Sequence, residues 1–431
     1  MRIFLSVTFF VFFKTIVAQS WFPVGNGASL YVQALTSFNT ELYAGGVFDS
    51  IGGAPGKYLA KWNGSTWTPI GGITNNGVRA FGEFNNELYV GGLFDTCLGV
   101  PMNSIAKWDG VSLSQVGAGM NNGVCALTTY NNELIAGGYF WKCGNVITNG
   151  IAKWDGISWA PLGTGISGGS IYGLCVYNNE LYVSGGFSSI GGIATTGVAK
   201  WDGTSWSAIA GGLTGIVHSL CVYNNELYAS GSSWSSNIFY IAKWNGTSWV
   251  NVGSGMNYEI YAMQEYNGKL YVGGAFNNAG GISAFCIASW DGSNWATVGN
   301  GINGQIDAMT VHNNELYIGG GFNMAGGNPA GFIARLSIPT AIEEIISTNN
   351  YKVYPNPFSE QATIEFENRK RDKCTLMIYN MNGQIVQTLT DITSNKIEIN
   401  RRHLQNGFYF FQIKSTSEIL LSGKFTVNSS Q

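Results

Sequence analysis

An all-β chain, a seven-bladed β-propeller closed by its own N-terminal strand with a small C-terminal β-sandwich behind it, is predicted by three observations. The 431 residues hold 60 Gly and 14% aromatics but only 11% charged residues, a composition of short strands and tight turns rather than of disorder. Two strings recur with a period of about 46 residues. The two ends of the repeated region are complementary. No Gly-X-Y period runs through the glycines, which excludes a collagen-like chain.

The first segment reads as a secretory signal peptide, residues 1–18. Arg2 precedes an apolar run from Ile3 to Phe13, Lys14 interrupts it, and Ile16-Val17-Ala18 offers a cleavage site. The run is too short for a membrane span, which needs about 20 apolar residues. No later stretch is long enough, so no transmembrane segment is expected in the mature chain from Gln19. Net charge is -3 and no basic run appears before Arg369, so nucleic acid is excluded as a partner. The seven cysteines contain no CxxC pair, which excludes a zinc ribbon. Cys97 and Cys143 share one repeat position, as do Cys175 and Cys221. Bridges between neighbouring repeats and buried free thiols both remain open.

The first string, Asn-Asn-Glu-Leu-Tyr-Val-Gly-Gly, is anchored at Glu41, Glu87, Glu133, Glu180, Glu226, Lys269 and Glu315. The second, Ile-Ala-Lys-Trp-Asp-Gly, is anchored at Trp62, Trp108, Trp154, Trp201, Trp244, Trp290 and, degenerately, Leu336. Seven copies fill residues 19–339, at the period of four-stranded propeller blades. In the second copy, strand A is expected over Val78 to Phe84 and strand B over Glu87 to Phe94, joined by Asn85-Asn86. Strand C is expected over Ser104 to Trp108, and Asp109-Gly110 turns into strand D. Asn-Asn and Asp-Gly both suit the positive φ of a type I′ turn. The repeated Glu and the Lys late in strand C lie near the same end of adjacent strands. Where Glu becomes Lys269 the partner becomes Ser289, so the pair is read as structural.

The chain enters the repeats on a D strand, Ser20 to Gly25, and the last copy stops after its C strand, Phe332 to Ser337. The N-terminus therefore supplies the missing fourth strand of the seventh blade and removes two sheet edges. These residues resemble the kelch-like propellers of the galactose-oxidase superfamily over roughly 320 residues. The Gly-Gly after strand B is shared, while the Trp-Asp-Gly hairpin is a different elaboration. The resemblance implies a fold and no particular reaction.

Composition changes after Pro339. The last 92 residues hold 19 charged residues, 3 Gly and no Trp. Residues 340–351 read as a linker. Alternating patterns at Ala362 to Phe366, Thr375 to Tyr379, Lys396 to Ile399 and Phe408 to Ile413 then predict a small sandwich over 352–431. Tyr354-Pro355-Asn356-Pro357, Asn382-Gly383-Gln384-Ile385-Val386, Leu404 to Tyr409 and Gly423-Lys424-Phe425-Thr426-Val427 resemble the type A sorting domain of the type IX secretion system of Bacteroidetes. On that resemblance Pro355, Asn356, Pro357, Gly383, Gly407 and Lys424 form the sorting signal. It implies the type IX machinery as a partner, and a secreted or outer-surface location.

Catalytic signatures are missing. The repeats hold only His218 and His312, at unrelated positions, and no HExxH, GxSxG or P-loop string occurs. No metal, cofactor or catalytic residue is assigned, and a copper site of the galactose-oxidase kind does not carry over. A carboxylate pair stays open among Asp49, Glu83, Asp95, Glu259, Glu265 and Asp307.

Binding is expected on the B–C and D–A connections, which are longer and vary between copies, whereas the A–B and C–D turns are short and uniform. Trp141 and Trp234 replace small polar residues in B–C loops and offer flat faces for stacking. One position in strand A varies while its neighbours hardly do: Gln33, Arg79, Cys125, Tyr172, His218, Tyr261 and Asp307. Placed on the innermost strand, these seven would ring the channel mouth. Asn75-Asn76 and Asn121-Asn122 would add hydrogen bonds. The expected function is recognition of a glycan or a surface protein, with a carbohydrate-active enzyme or a structural adhesion protein as alternatives.

Overall fold

The computed structural model describes residues 19–337 and 351–428, except 74, 211, 234–237, 367, 369–372, 381–384, 402–403 and 416–418. The signal-peptide segment, and all of the linker but Tyr351, lie outside the described residues. No helix occurs among the described residues. The chain forms two compact units, residues 1–338 and 339–431.

The first unit contains seven four-stranded antiparallel sheets among its described residues. Strand A is Val32–Phe38, Val78–Phe84, Val124–Tyr130, Ile171–Tyr177, Ile216–Tyr223, Ile260–Tyr266 and Ile306–His312 in the successive sheets. In the second sheet, strands B, C and D are Glu87–Gly92, Ile105–Trp108 and Leu113–Gln115. The seventh sheet has the order Ser20–Pro23, Ile333–Ser337, Glu315–Gly320, Ile306–His312, with Trp21 opposite Leu336. The N-terminal strand is thus its fourth strand.

Hydrophobic clusters draw their members from neighbouring sheets, so the core lies between sheets rather than within one. The first glycine after strand B allows this approach. A Cβ on Gly45, Gly91 or Gly137 would stand 2.3, 2.6 and 2.5 Å from Val78, Val124 and Ile171 of the next sheet. A Cβ on Gly319 of the seventh sheet would meet Val32 of the first at 2.6 Å, in the same way. Tryptophans add polar ties. The Nε1–H of Trp67, Trp159 and Trp206 donates to the carbonyls of Val24, Val116 and Leu162 at 2.9–3.0 Å. At the far end of strand A, Tyr130, Tyr177, Tyr223 and Tyr266 donate to the carbonyls of Asn179, Asn225, Gly268 and Asn314 in the next A–B turn. His312 holds that position in the seventh sheet, and its Nδ1 lies 2.9 Å from Ser37 Oγ of the first.

The A–B turns have two residues at positive φ, such as Asn85 (52°) and Asn86 (58°), as a type I′ turn needs. The C–D turns correct the expectation. Trp108 pairs with Leu113, so the loop is four residues long, and of its first two only Gly110 has positive φ. Asp109 is instead a side-chain cap, accepting from the N–H groups of Val111 and Ser112 at 2.8 and 2.7 Å. Those bonds hold the Asp109 carboxyl below its ordinary range. The Glu–Lys pairs form as read, from Lys61–Glu41 at 3.0 Å to Lys243–Glu226 at 2.9 Å, with Arg335–Glu315 in the seventh sheet. All seven cysteines are free.

The second unit packs a three-stranded sheet (Lys352–Tyr354, Gln361–Glu365, Lys396–Asn400) with a four-stranded one (Cys374–Tyr379, Ile385–Ile392, Gly407–Lys414, Ile419–Val427). One core, including Phe358, Ile364, Phe411 and Phe425, fills it. Asn356 Oδ1 accepts from Thr426 N at 2.8 Å, so the first sorting motif is tied to the last. Gly423 lies under aromatic rings, where a Cβ would meet Phe411 and Tyr351 at 2.5 and 2.8 Å. Gly407 meets nothing of the kind, and Lys424 is exposed. Gly383 lies outside the described residues.

Candidate functional site

Every strand A carries a β-bulge, and in every sheet the bulged residue is the variable one. The A–B ladder shifts register between Val32 and Ala34, Val78 and Ala80, Val124 and Ala126, Ile171 and Gly173, Val217 and Ser219, Ile260 and Ala262, and Ile306 and Ala308. Gln33, Arg79, Cys125, Tyr172, His218, Tyr261 and Asp307 are the seven residues skipped. A bulge frees one side chain from the ladder and re-aims it, so its identity can change without cost to the pairing. All seven are half-buried.

Side chains from successive sheets meet in one arc. Arg79 Nη1 donates to Tyr139 OH at 3.3 Å. The Tyr139 ring packs on Tyr172 (5.9 Å between centroids), Tyr172 on His218 (6.1 Å) and His218 on Tyr261 (5.4 Å). Tyr261 OH donates a short hydrogen bond to Glu259 Oε2, while Ser232 Oγ donates to Glu259 Oε1 at 3.1 Å and lies 3.3 Å from His218 Nε2. Burial lowers the His218 pKa, against an opposing pull from Glu259. Cys125, beside Arg79, is pushed up to about 11 by burial and is no thiolate nucleophile.

The arc is incomplete across the seventh, first and second sheets. Gln305 donates to Asp307 Oδ1 at 2.8 Å, but Asp307 Oδ2, Gln33 Oε1 and Arg79 Nε are buried without a hydrogen-bond partner. Burial pushes the Asp307 carboxyl up to about 6, although Arg79 pulls it down. Orphaned polar atoms are uncommon in folded proteins, and three of the eight among the described residues lie on these adjoining strands.

The loops differ from expectation. Six of the seven B–C connections fold into small hairpins, such as Thr96–Cys97 with Val100–Pro101. The first asparagine of each D–A pair is committed to a hairpin, while Asn76 and Asn122 accept from the N–H of the glycine that follows. Asn75 Oδ1 accepts from the N–H groups of Asp95 and Thr96, and Asn121 Oδ1 from those of Trp141 and Lys142. Their side-chain oxygens act as staples rather than free ligand contacts. Trp141 is 55% exposed, beside a hairpin. Trp234 lies outside the described residues. The exposed Leu98 and Ile147 sit on neighbouring hairpins.

Four residues of the arc were not singled out as binding groups by sequence. Tyr139 and Ser232 follow the Gly-Gly position, which also reads Val47, Leu93, Gly186, Ala275 and Gly321. Glu259 and Gln305 stand two residues before the bulge. Both positions vary as much as the one chosen, and that was the available signal. A separate cavity of about 540 Å³ opens where strands A end, lined by Cys221, Gln264, Glu265, Tyr266, Val311 and Asn314. It lies by the A–B turns, at the other end of the strands from the bulges, and gathers no orphaned polar atoms. No cluster of three or more His, Cys, Asp or Glu suited to a metal occurs among the described residues.

Comparison with known proteins gives two family matches. Residues 352–428 match the secretion system C-terminal sorting domain, and residues 253–350 match the Rax2 C-terminal beta propeller domain. No curated protein matches the chain. Among solved structures, the extracellular domain of a protein described as a hybrid two component system of B. thetaiotaomicron superposes with TM-score 0.52 at 10% identity, over 94% of this chain and 56% of its own. The chain thus spans just over half of that structure, and the likeness concerns the fold alone. A computationally designed protein (TM-score 0.45, 14% identity, 72% of this chain and 98% of that one) is also similar. So is the acylaminoacyl peptidase of Pyrococcus horikoshii (TM-score 0.41, 11% identity, 80% and 59%). No helix among the described residues is long and apolar enough to cross a membrane. The repeats are of β-propeller type, the tail is of the sorting kind that engages the type IX secretion machinery, and the protein is accordingly secreted or attached at the outer cell surface.

Proposed function

We propose that the seven sheets are the blades of a closed, kelch-like propeller over residues 19–339, and that it binds a glycan or a surface protein on the face of its B–C and D–A connections. The observation that carries this reading is the gap in the bulge arc, where Asp307, Gln33 and Arg79 hold unpartnered polar atoms. Closure is supported by the contacts of the seventh sheet with the first, Gly319 against Val32 and His312 against Ser37. Residues 1–18 act as a signal peptide, 340–351 as a linker and 352–431 as the sorting domain. Within the last, Pro355, Asn356, Pro357, Gly383, Gly407 and Lys424 form the sorting signal. Trp141 and Trp234 stack on the ligand at the rim, and no cofactor takes part.

The test is a glycan array and polysaccharide pull-down with the full chain and with Trp141→Ala and Trp234→Ala variants, followed by hydroxyl-radical footprinting. Protection confined to the B–C and D–A connections, with binding lost in the variants and no product formed, supports the reading. Protection confined to the A–B and C–D turns overturns it. One arrangement favours an enzyme instead: Glu259 and Asp307 both act on the Tyr261 phenol, and Asp307 near 6 has the pKa of a general acid. Release of reducing sugar in the same assay, abolished by Asp307→Asn, would decide for it.

A further inference from the structure

The polarity of the gap selects among ligands, and the selection rests on the binding reading above. Its three orphaned atoms differ in kind. Arg79 Nε carries a hydrogen and a share of a positive charge, and it needs an acceptor. Gln33 Oε1 needs a donor. Asp307 Oδ2 needs a donor when ionised and offers a proton when it is not. Gln33 lies on the strand between those of the other two.

A ligand carboxylate would satisfy Arg79 and leave Gln33 and an ionised Asp307 facing another acceptor. A ligand ammonium would satisfy Gln33 and Asp307 and stand beside Arg79, a like charge. An uncharged group that both donates and accepts, at two or three neighbouring atoms, satisfies all three. Adjacent hydroxyls on a sugar ring are such a group. The arc that runs on from Arg79 is aromatic, Tyr139, Tyr172, His218 and Tyr261, and such rings suit the C–H face of the same sugar. We propose that the bulge ring binds the neutral, hydroxyl-bearing end of a glycan, with Arg79, Gln33 and Asp307 bonding its hydroxyls and Tyr172 and Tyr261 walling its apolar face.

The experiment is calorimetric titration of the full chain with three matched sets of gluco-, galacto- and xylo-oligosaccharides. One set is neutral, one ends in a uronic acid and one, for the hexoses, ends in a 2-amino sugar. Neutral ends should bind about tenfold or more tightly than either charged set, because each charged end leaves a buried group unpaired. Asp307→Asn leaves Arg79 uncompensated and should move the preference toward uronic ends. Arg79→Gln should move it toward amino ends. A merely structural role would weaken all three sets alike. Gln33→Lys and Gln33→Glu make the same two changes of charge at a half-exposed position, should either first variant fail to fold.

Equal binding of the three sets, or a preference that neither charge change moves, overturns the proposal. If binding then still depends on Trp141 and protects the B–C and D–A connections, the wider reading stands without it. Failure of every sugar set, with a surface protein protecting that face, has the same meaning. Protection only on the opposite face removes both.

Discussion

At Asp307 a carboxyl group occupies a place that disfavours its charge. The folded protein holds the proton up to about pH 6, against 3.8 in an ordinary carboxyl. The folded form therefore binds this proton more tightly than the unfolded form. Its contribution favours folding below pH 3.8 and is lost as the pH rises through 6, a difference of about 3 kcal/mol in order of magnitude. Asp307→Asn should raise the thermal midpoint clearly at pH 7.5 and little at pH 4, as scanning calorimetry would read. Equal shifts at both values would mean that the carboxyl is not desolvated. The position was legible in the sequence because its frame is constant, Val or Ile before it and usually Ala after it. The bulge was not legible, since one skipped residue leaves the alternation around it intact. Nor was the employment of Asn75 and Asn121, because the same amide that can hold a sugar can cap a hairpin.

Within five of the seven sheets, tryptophan pairs carry much of the outer packing, with ring centroids 5.1–5.5 Å apart, as in Trp201–Trp206 and Trp244–Trp249. The two pairs differ in one respect. Trp206 Nε1 donates to Leu162, whereas Trp249 Nε1 is buried without a partner. Trp206→Phe removes a hydrogen bond and strands a carbonyl; Trp249→Phe removes an orphaned donor. Urea unfolding should show Trp206→Phe the costlier of the two by about 1–2 kcal/mol. A reversed order would deny the bond any share in joining the sheets. The main strands and their A–B turns could be read because apolar alternation repeats seven times and Asn-Asn recurs in five of the seven turns. The hairpin strands are two residues long, too short to show a period, and they appear only in the fold. Asp-Gly misled because glycine's positive φ is common to several turns, and the carboxylate cap decides between them.

Across the whole first unit, His312 sits where the seventh sheet meets the first. It is buried, and burial lowers its pKa below 6.5, with Glu315 pulling weakly the other way. Its contribution is full above the unfolded value and is lost as the pH falls from 6.5 toward the folded one, because the unfolded chain takes up the proton first. His218 acts in the same direction. The histidine share of the thermal stability should fall on acidification below about pH 6.5, opposite to the gain from Asp307 below about pH 6, and is read alone in the Asp307→Asn background. His312→Phe, which places there the residue of Phe38 and Phe84, should make that fall shallower. An unchanged slope would assign it elsewhere. The complementarity of the two ends was legible from a lone D strand at the start and a missing one in the last copy. The Ser37–His312 contact was not, since nothing in sequence pairs a serine with a histidine so far away.

The pairing of Trp21 with Leu336 also sets an order in time. Strand 20–23 is among the first parts of the repeats to be synthesised, and its partner, 333–337, is the last. No sheet edge can be sealed at that seam until every repeat has been made, so the chain keeps an open end throughout synthesis. The strand made first thus completes the sheet made last.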